Sequence, residues 1–219
     1  MTLAPRQSLR EEIATTLRAS IIAGQLRPGH VYSVPGLAAE FGVSPTPVRE
    51  AILDLAKEGL LSIAKNKGFR VSELSERELD QITEVRALLE IPTVTALHGK
   101  LTPDQLTELR LLADAIVTAA QKQDVVAYLA ADTAFHTTLL GLSGNATLVE
   151  LVTDLRNRTR LYGLDALVHN GQLVDSAAEH VELVTLLATG SRAEVAKLMR
   201  HHLSHVRGIW AATPDSRLG

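Results

Sequence analysis

Apolar residues recur three and four apart along most of this chain, and only one short stretch breaks that rhythm. Ile13, Leu17, Ile21 and Ile22 set a helix over 9–22, followed by a turn from Gly24 to Gly29. A short second helix is read at Pro35 to Phe41, with Pro35 in the first turn, where a missing N–H costs nothing. Gly42 then marks a tight turn that needs positive φ. Ser44 stands at the N-cap of a third helix with Pro45 and Pro47 in its first turn; Val48, Ile52 and Leu55 form its apolar face, and Gly59 ends it. Two short strand-like pieces follow, Leu60 to Ala64 and Phe69 to Val71, joined by Lys65, Asn66, Lys67 and Gly68. From the capping-box spacing of Ser75 and Glu78 onward everything reads as helix, at 76–98, 103–121, 125–141, 146–168, 174–188 and 192–211.

Three helices, a tight turn before the third and a basic hairpin after it describe a winged helix-turn-helix. The predicted fold is therefore mainly α: a winged helix-turn-helix over 1–74, then an all-helical bundle over 75–219. The 219 residues are enough for two cores, and the scarcity of aromatics (3%) implies cores of Leu, Val, Ile and Ala. With no cysteine, disulfides, thiolate metal sites and thiol nucleophiles are excluded. The charged opening residues do not read as a signal peptide, and no apolar run is long enough to span a bilayer. The expectation is a cytoplasmic protein with no membrane partner. Its net charge of −3 hides an asymmetry: residues 1–75 carry 9 Lys/Arg against 7 Asp/Glu, and the remainder 13 against 18. Only the part that meets phosphate must be locally positive.

On the third helix Thr46, Arg49 and Glu50 lie opposite the apolar face. A helix entering the major groove N-terminus first presents unpaired N–H groups to phosphate, and Arg49 is placed to reach a guanine edge or a phosphate. Lys65 and Lys67, with Gly68 permitting close approach, suit phosphate or minor-groove contact. Singly, an exposed arginine or a basic hairpin tip is usually just solvated. In this order they point to double-stranded DNA.

These residues also carry a family resemblance. Leu37-Ala38-x-x-Phe41-Gly42-Val43-Ser44-x-Thr46-Pro47-Val48-Arg49-Glu50-Ala51, then Leu55-x-x-Glu58-Gly59-Leu60 and Gly68-Phe69-Arg70-Val71, resemble the DNA-binding domain of GntR-family regulators over most of 8–72. The resemblance implies a homodimer on a short palindromic operator, with Thr46, Arg49 and Gly68 at the DNA; Ser44, Lys65 and Lys67 complete the expected DNA-facing set. Many relatives have Arg where this chain has Pro45, so one base contact is missing and operator preference is expected to differ.

Four metal-competent side chains fall on helix faces that should be buried. Asp132 and His136 are four apart among Tyr128, Phe135 and Leu139; His180 is in register with Ala177, Val184 and Leu187; His202 follows Val195, Leu198 and Met199. His201 and His205 fall on the polar side. One buried imidazole is ordinarily a hydrogen-bonded core residue, but three with a carboxylate are all satisfied together by a divalent cation, zinc or nickel among the first-row choices. Asp132-x-x-x-His136, Glu179-His180 and His202-Leu203 resemble the metal signature of the FadR-type effector domain, called FCD, over about 76–211. Six helices rather than seven place the chain nearer the VanR-like branch. The resemblance implies a small organic acid completing the coordination. Arg86 is the first candidate for its carboxylate, with Arg156, Asn157 and Arg160 as others; alternatively Arg86 and Glu90, four apart, form a surface ion pair. Two rival readings remain at this stage. In one the metal activates water for an enzyme with Asp132 or Glu179 as base; in the other it is purely structural, or is itself the signal.

Overall fold

The computed structural model describes residues 8–22, 25–65, 67–159 and 172–208. The chain divides into two compact units, Met1–Glu73 and Leu74–Gly219.

In the first unit α1 (Leu9–Ile22), α2 (Val34–Glu40) and α3 (Pro45–Lys57) surround a core of Leu17, Val48, Ile52, Leu55 and Phe69, closed by a three-stranded antiparallel sheet. The order is β1 (Val31–Tyr32), β3 (Gly68–Val71), β2 (Leu61–Ala64). The sequence reading held only the β2–β3 hairpin; β1, at two residues, is too short to show an alternating pattern. It is fixed by pairing Val31 with Arg70 and Tyr32 with Phe69, whose rings stack at 5.8 Å. Helix α2 begins one residue before the expected start, because the Ser33 side chain accepts from Gly36 N and caps it. Gly42 takes φ +66° in the turn before α3. Two arginines of α1 hold α3 from outside the core, Arg10 to Asp54 at 2.5 Å and Arg18 to Glu58 at 2.5 Å.

In the second unit the described helices are α4 (Glu76–Leu97), α5 (Pro103–Gln121), α6 (Val125–Gly141), α7 (Ala146–Thr159), α8 (Gln172–Thr189) and α9 (Arg192–Gly208). Their starts are explained by local chemistry. Ser75 with Glu78 and Thr102 with Gln105 form complete capping boxes, and Asp124 accepts from Ala127 N. The expected continuations to 168 and 211 lie outside the described residues. Helix α5 packs on α6 and α8, and α4 packs on α9 and α7, around Leu109, Ile116, Phe135, Leu139, Val152, Leu187 and Met199. Within this apolar core the stripe of α4 reads Leu79, Ile82, Arg86, Glu90, Val94, Leu97: two charged residues occupy core positions.

Candidate metal centre and nucleic-acid interface

Asp132 and His136, one turn apart on α6, meet His180 from α8 and His202 from α9. One ligand-capable atom from each lies within 4.8 Å of all the others. His136 Nε2 is 3.0 Å from His180 Nε2, and Asp132 Oδ1 is 3.4 Å and 3.3 Å from these two nitrogens. Donors sharing a first-row ion at about 2.0–2.2 Å are held at such spacings.

The outer contacts decide which nitrogen faces inward. His180 Nδ1 is 3.1 Å from the Ser176 carbonyl and 3.2 Å from that of Ala177, so Nδ1–H donates to backbone and Nε2 keeps its lone pair for the cluster. His202 Nδ1 lies 2.8 Å from Glu179 Oε2, which assigns its proton the same way. Burial, with Arg156 nearby, pushes the His136 imidazole well below its ordinary value; burial, with His180 beside it, does the same to His202. Three imidazoles and a carboxylate, with Nε2 of His180 and of His202 left free to face the cluster, are a donor set that fits a divalent cation. Glu179 escaped the sequence reading as an orienting residue. The sequence places it beside His180 in the FCD-like signature, but its contact with His202 comes from a neighbouring helix and leaves no local trace.

Beside the cluster runs a buried row of alternating charge. Arg86 Nε donates to Glu90 Oε1 at 2.6 Å; Arg156 donates from Nη1 to Glu90 Oε2 at 3.2 Å and from Nη2 to Asp132 Oδ2 at 2.9 Å. The surface alternative for Arg86 and Glu90 is therefore corrected: Arg86 is 3% exposed and Glu90 is fully buried. Burial alone would raise the Glu90 carboxyl, but Arg86 and Arg156 outweigh it and hold it at about 2. Among the described residues only Nε of Arg86 is engaged, and Arg156 Nε is buried with no hydrogen-bond partner. Asn157 is half-buried on α7, and its side chain makes no hydrogen bond or ion pair with the described residues. Arg160 and the side chain of His205 lie outside them. His201 is exposed, 3.3 Å from the second oxygen of Glu179.

In the first unit Thr46 and Arg49 stand exposed on α3, and Ser44 is at its N-cap without using its hydroxyl to cap. Lys65 and Lys67 are exposed on the wing. A groove of about 530 Å³ separates α3 from the wing, lined by Arg49, Leu53, Ile63, Lys67 and Gly68 among others. Gly68 has φ +118°, and a Cβ there would sit 2.1 Å from the Tyr32 carbonyl oxygen. Glycine is thus demanded by the pairing of β3 with β1, whatever approaches from outside.

Residues 9–71 match the family model of bacterial regulatory proteins of the gntR family, and residues 81–205 match the FCD domain. The chain belongs to the GntR family. HTH-type transcriptional regulator McbR of Escherichia coli strain K12 is 30% identical over 201 residues, covering 91% of this chain and 89% of that protein. An uncharacterized HTH-type transcriptional regulator in an unstable DNA locus of Streptomyces ambofaciens is 32% identical, over 90% and 83%. The solved structure of E. coli McbR/YncC aligns at TM-score 0.72 with 27% identity, over 94% of this chain and 98% of that one. This GntR protein is a transcriptional regulator with an FCD domain and not an enzyme, which sets aside the water-activating reading of the His/Asp cluster. GntR regulators bind DNA. Among the described residues no helix is long and apolar enough to cross a membrane.

Proposed function

We propose that this GntR regulator binds a palindromic operator in the cytoplasm as a homodimer, and that a small carboxylate effector bound over a divalent metal modulates the binding. Residues 1–74 serve as the DNA-binding domain, with Ser44, Thr46, Arg49, Lys65, Lys67 and Gly68 at the duplex. Residues 75–219 serve as the sensing domain. The observation that carries the reading is the buried quartet of Asp132, His136, His180 and His202, whose outer hydrogen bonds turn the donors of His180 and His202 inward. These four would hold the metal, zinc or nickel, which supplies an electrophilic seat for a carboxylate oxygen. Arg86 and Arg156 provide the positive surroundings that an acid requires, with Asn157 and Arg160 as further candidates.

Regulation follows as a population shift: an effector that binds one arrangement of the helical domain better favours it by that difference in affinity. Half-sites on DNA tolerate little change in spacing, so a modest rearrangement removes much of the specific affinity.

The test begins with the zinc- or nickel-loaded protein and sheared genomic DNA, sequencing the fragments retained at moderate salt. Enrichment of a palindrome, followed by a change in affinity for that palindrome under saturating organic acid at fixed salt, is the expected result. Operator affinity that no acid alters would overturn the sensing half of the proposal; failure to enrich any site would overturn the DNA half.

A further inference from the structure

One helical turn before the quartet, on both helices that supply its core, stands a hydroxyl. Tyr128 precedes Asp132 by four residues on α6, and Ser176 precedes His180 by four on α8, so each shares a helix face with a member of the cluster. Both are buried, at 5% and 7% exposure. Their oxygens lie 3.4 Å apart, long for an O–H···O bond, whose usual length is about 2.7–2.8 Å. The contact between Tyr128 on α6 and Ser176 on α8 bridges the two helices that carry Asp132, His136 and His180. Arg156, 7% exposed, adds a buried Nε–H without a partner among the described residues. Buried polar atoms are as a rule well paired, and here three sit beside a candidate ligand site with poor partners or none.

We propose that Tyr128 and Ser176 form a hydroxyl-recognising subsite next to the metal cluster, so that the effector is a hydroxylated carboxylate and not a plain aliphatic acid. This rests on the sensing role argued above and narrows its ligand class. A ligand hydroxyl is both donor and acceptor: it can accept from the Tyr128 phenol and donate to Ser176 Oγ, replacing one long contact with two short ones. A methylene in the same place would leave both side chains worse paired than before. Discrimination of this kind, from buried polar groups left unpaired by the wrong ligand, is much stronger than a pocket achieves by size alone.

The experiment is calorimetric titration of the zinc-loaded full chain with matched acids: lactate against propionate, malate against succinate, gluconate against hexanoate. In at least one pair the hydroxylated acid should bind tighter by about tenfold or more, as expected for a site built to hydrogen-bond a ligand hydroxyl. Tyr128→Phe and Ser176→Ala, each checked for wild-type zinc stoichiometry and thermal transition, should collapse that ratio while leaving affinity for the plain acid nearly unchanged. Equal binding within every pair, or a ratio that survives both substitutions, overturns the subsite while leaving the carboxylate-sensing reading standing. If no acid of either kind binds the zinc-loaded protein, the sensing reading itself falls and the subsite with it. Should one variant fail to fold, the other decides.

Discussion

Replacing Glu90 with glutamine removes the carboxylate that balances two buried guanidinium groups. In the folded chain Glu90 is fully buried and accepts from Arg86 at 2.6 Å and Arg156 at 3.2 Å. The variant leaves Arg86 without its anion and Arg156 with only Asp132. Removing one partner of a buried ion pair typically costs about 3–5 kcal/mol. A second route gives a similar size: a carboxyl held at about 2 where its ordinary value is 4.5 corresponds to roughly 3 kcal/mol of preference for the ionised form in the folded state. For a chain of this length each kcal/mol moves the midpoint by roughly 2–4 °C, so a fall of about 6–20 °C is expected in a thermal melt followed by circular dichroism. Asp54→Asn, which breaks the exposed pair with Arg10, is the control and should cost no more than about 1 kcal/mol. The pH dependence has a definite sign. Because the folded-state pKa is depressed, the contribution is complete above about 4.5 and is lost as pH falls towards about 2, and Glu90→Gln should flatten that part of the stability curve. A melt of Glu90→Gln within a degree or two of wild type would refute the view that this carboxylate balances the arginines.

Three further outcomes are expected. Lys67→Ala should lower the slope of log affinity for the operator against log salt by about 0.9, whereas Arg49→Ala should also relax base preference, costing about 1–3 kcal/mol on the best site; filter binding across a salt series separates them. His136→Ala should abolish the rise in midpoint that zinc produces, an increment of about 2.7 kcal/mol at a hundredfold excess over Kd, and an unchanged zinc response would remove His136 from the ligand set. Gly68→Ala should destabilise the first unit in the absence of DNA, by about 1–3 kcal/mol for the positive φ alone with the clash against Tyr32 added; full stability with weakened operator binding would mean that the glycine serves DNA approach instead.

The helices of the second unit were legible because their starts carry explicit chemistry. Ser75 with Glu78, and Thr102 before Pro103, announce themselves, and the observed α4 and α5 begin where those residues place them. The quartet was readable from helical phase alone, since Asp132, His136, His180 and His202 each sit on an apolar stripe. The surface alternative for Arg86 and Glu90 is set aside by their burial. Four-residue spacing between Arg86 and Glu90 suits an exposed ion pair and a buried one equally. The flanking Leu79, Ile82, Val94 and Leu97 place both on the buried face, and it is this stripe that distinguishes the two cases. Strand β1 left no such trace. Two residues have no period, and its existence depends on β3, some forty positions later.

The pairing of α1 with α3 changes what an approaching duplex would meet. Helix α3 and its cap carry three acids, Glu50, Asp54 and Glu58, against Arg49 and Lys57, and taken alone this helix would repel a polyanion. Arg10 and Arg18 answer Asp54 and Glu58 from the neighbouring helix. Each worth little to stability, these pairs act instead as a local neutraliser, leaving Arg49 with far less opposing charge on its own element. The charge that α3 presents is then a property of the helix together with its escort, set by arginines that belong to a different element.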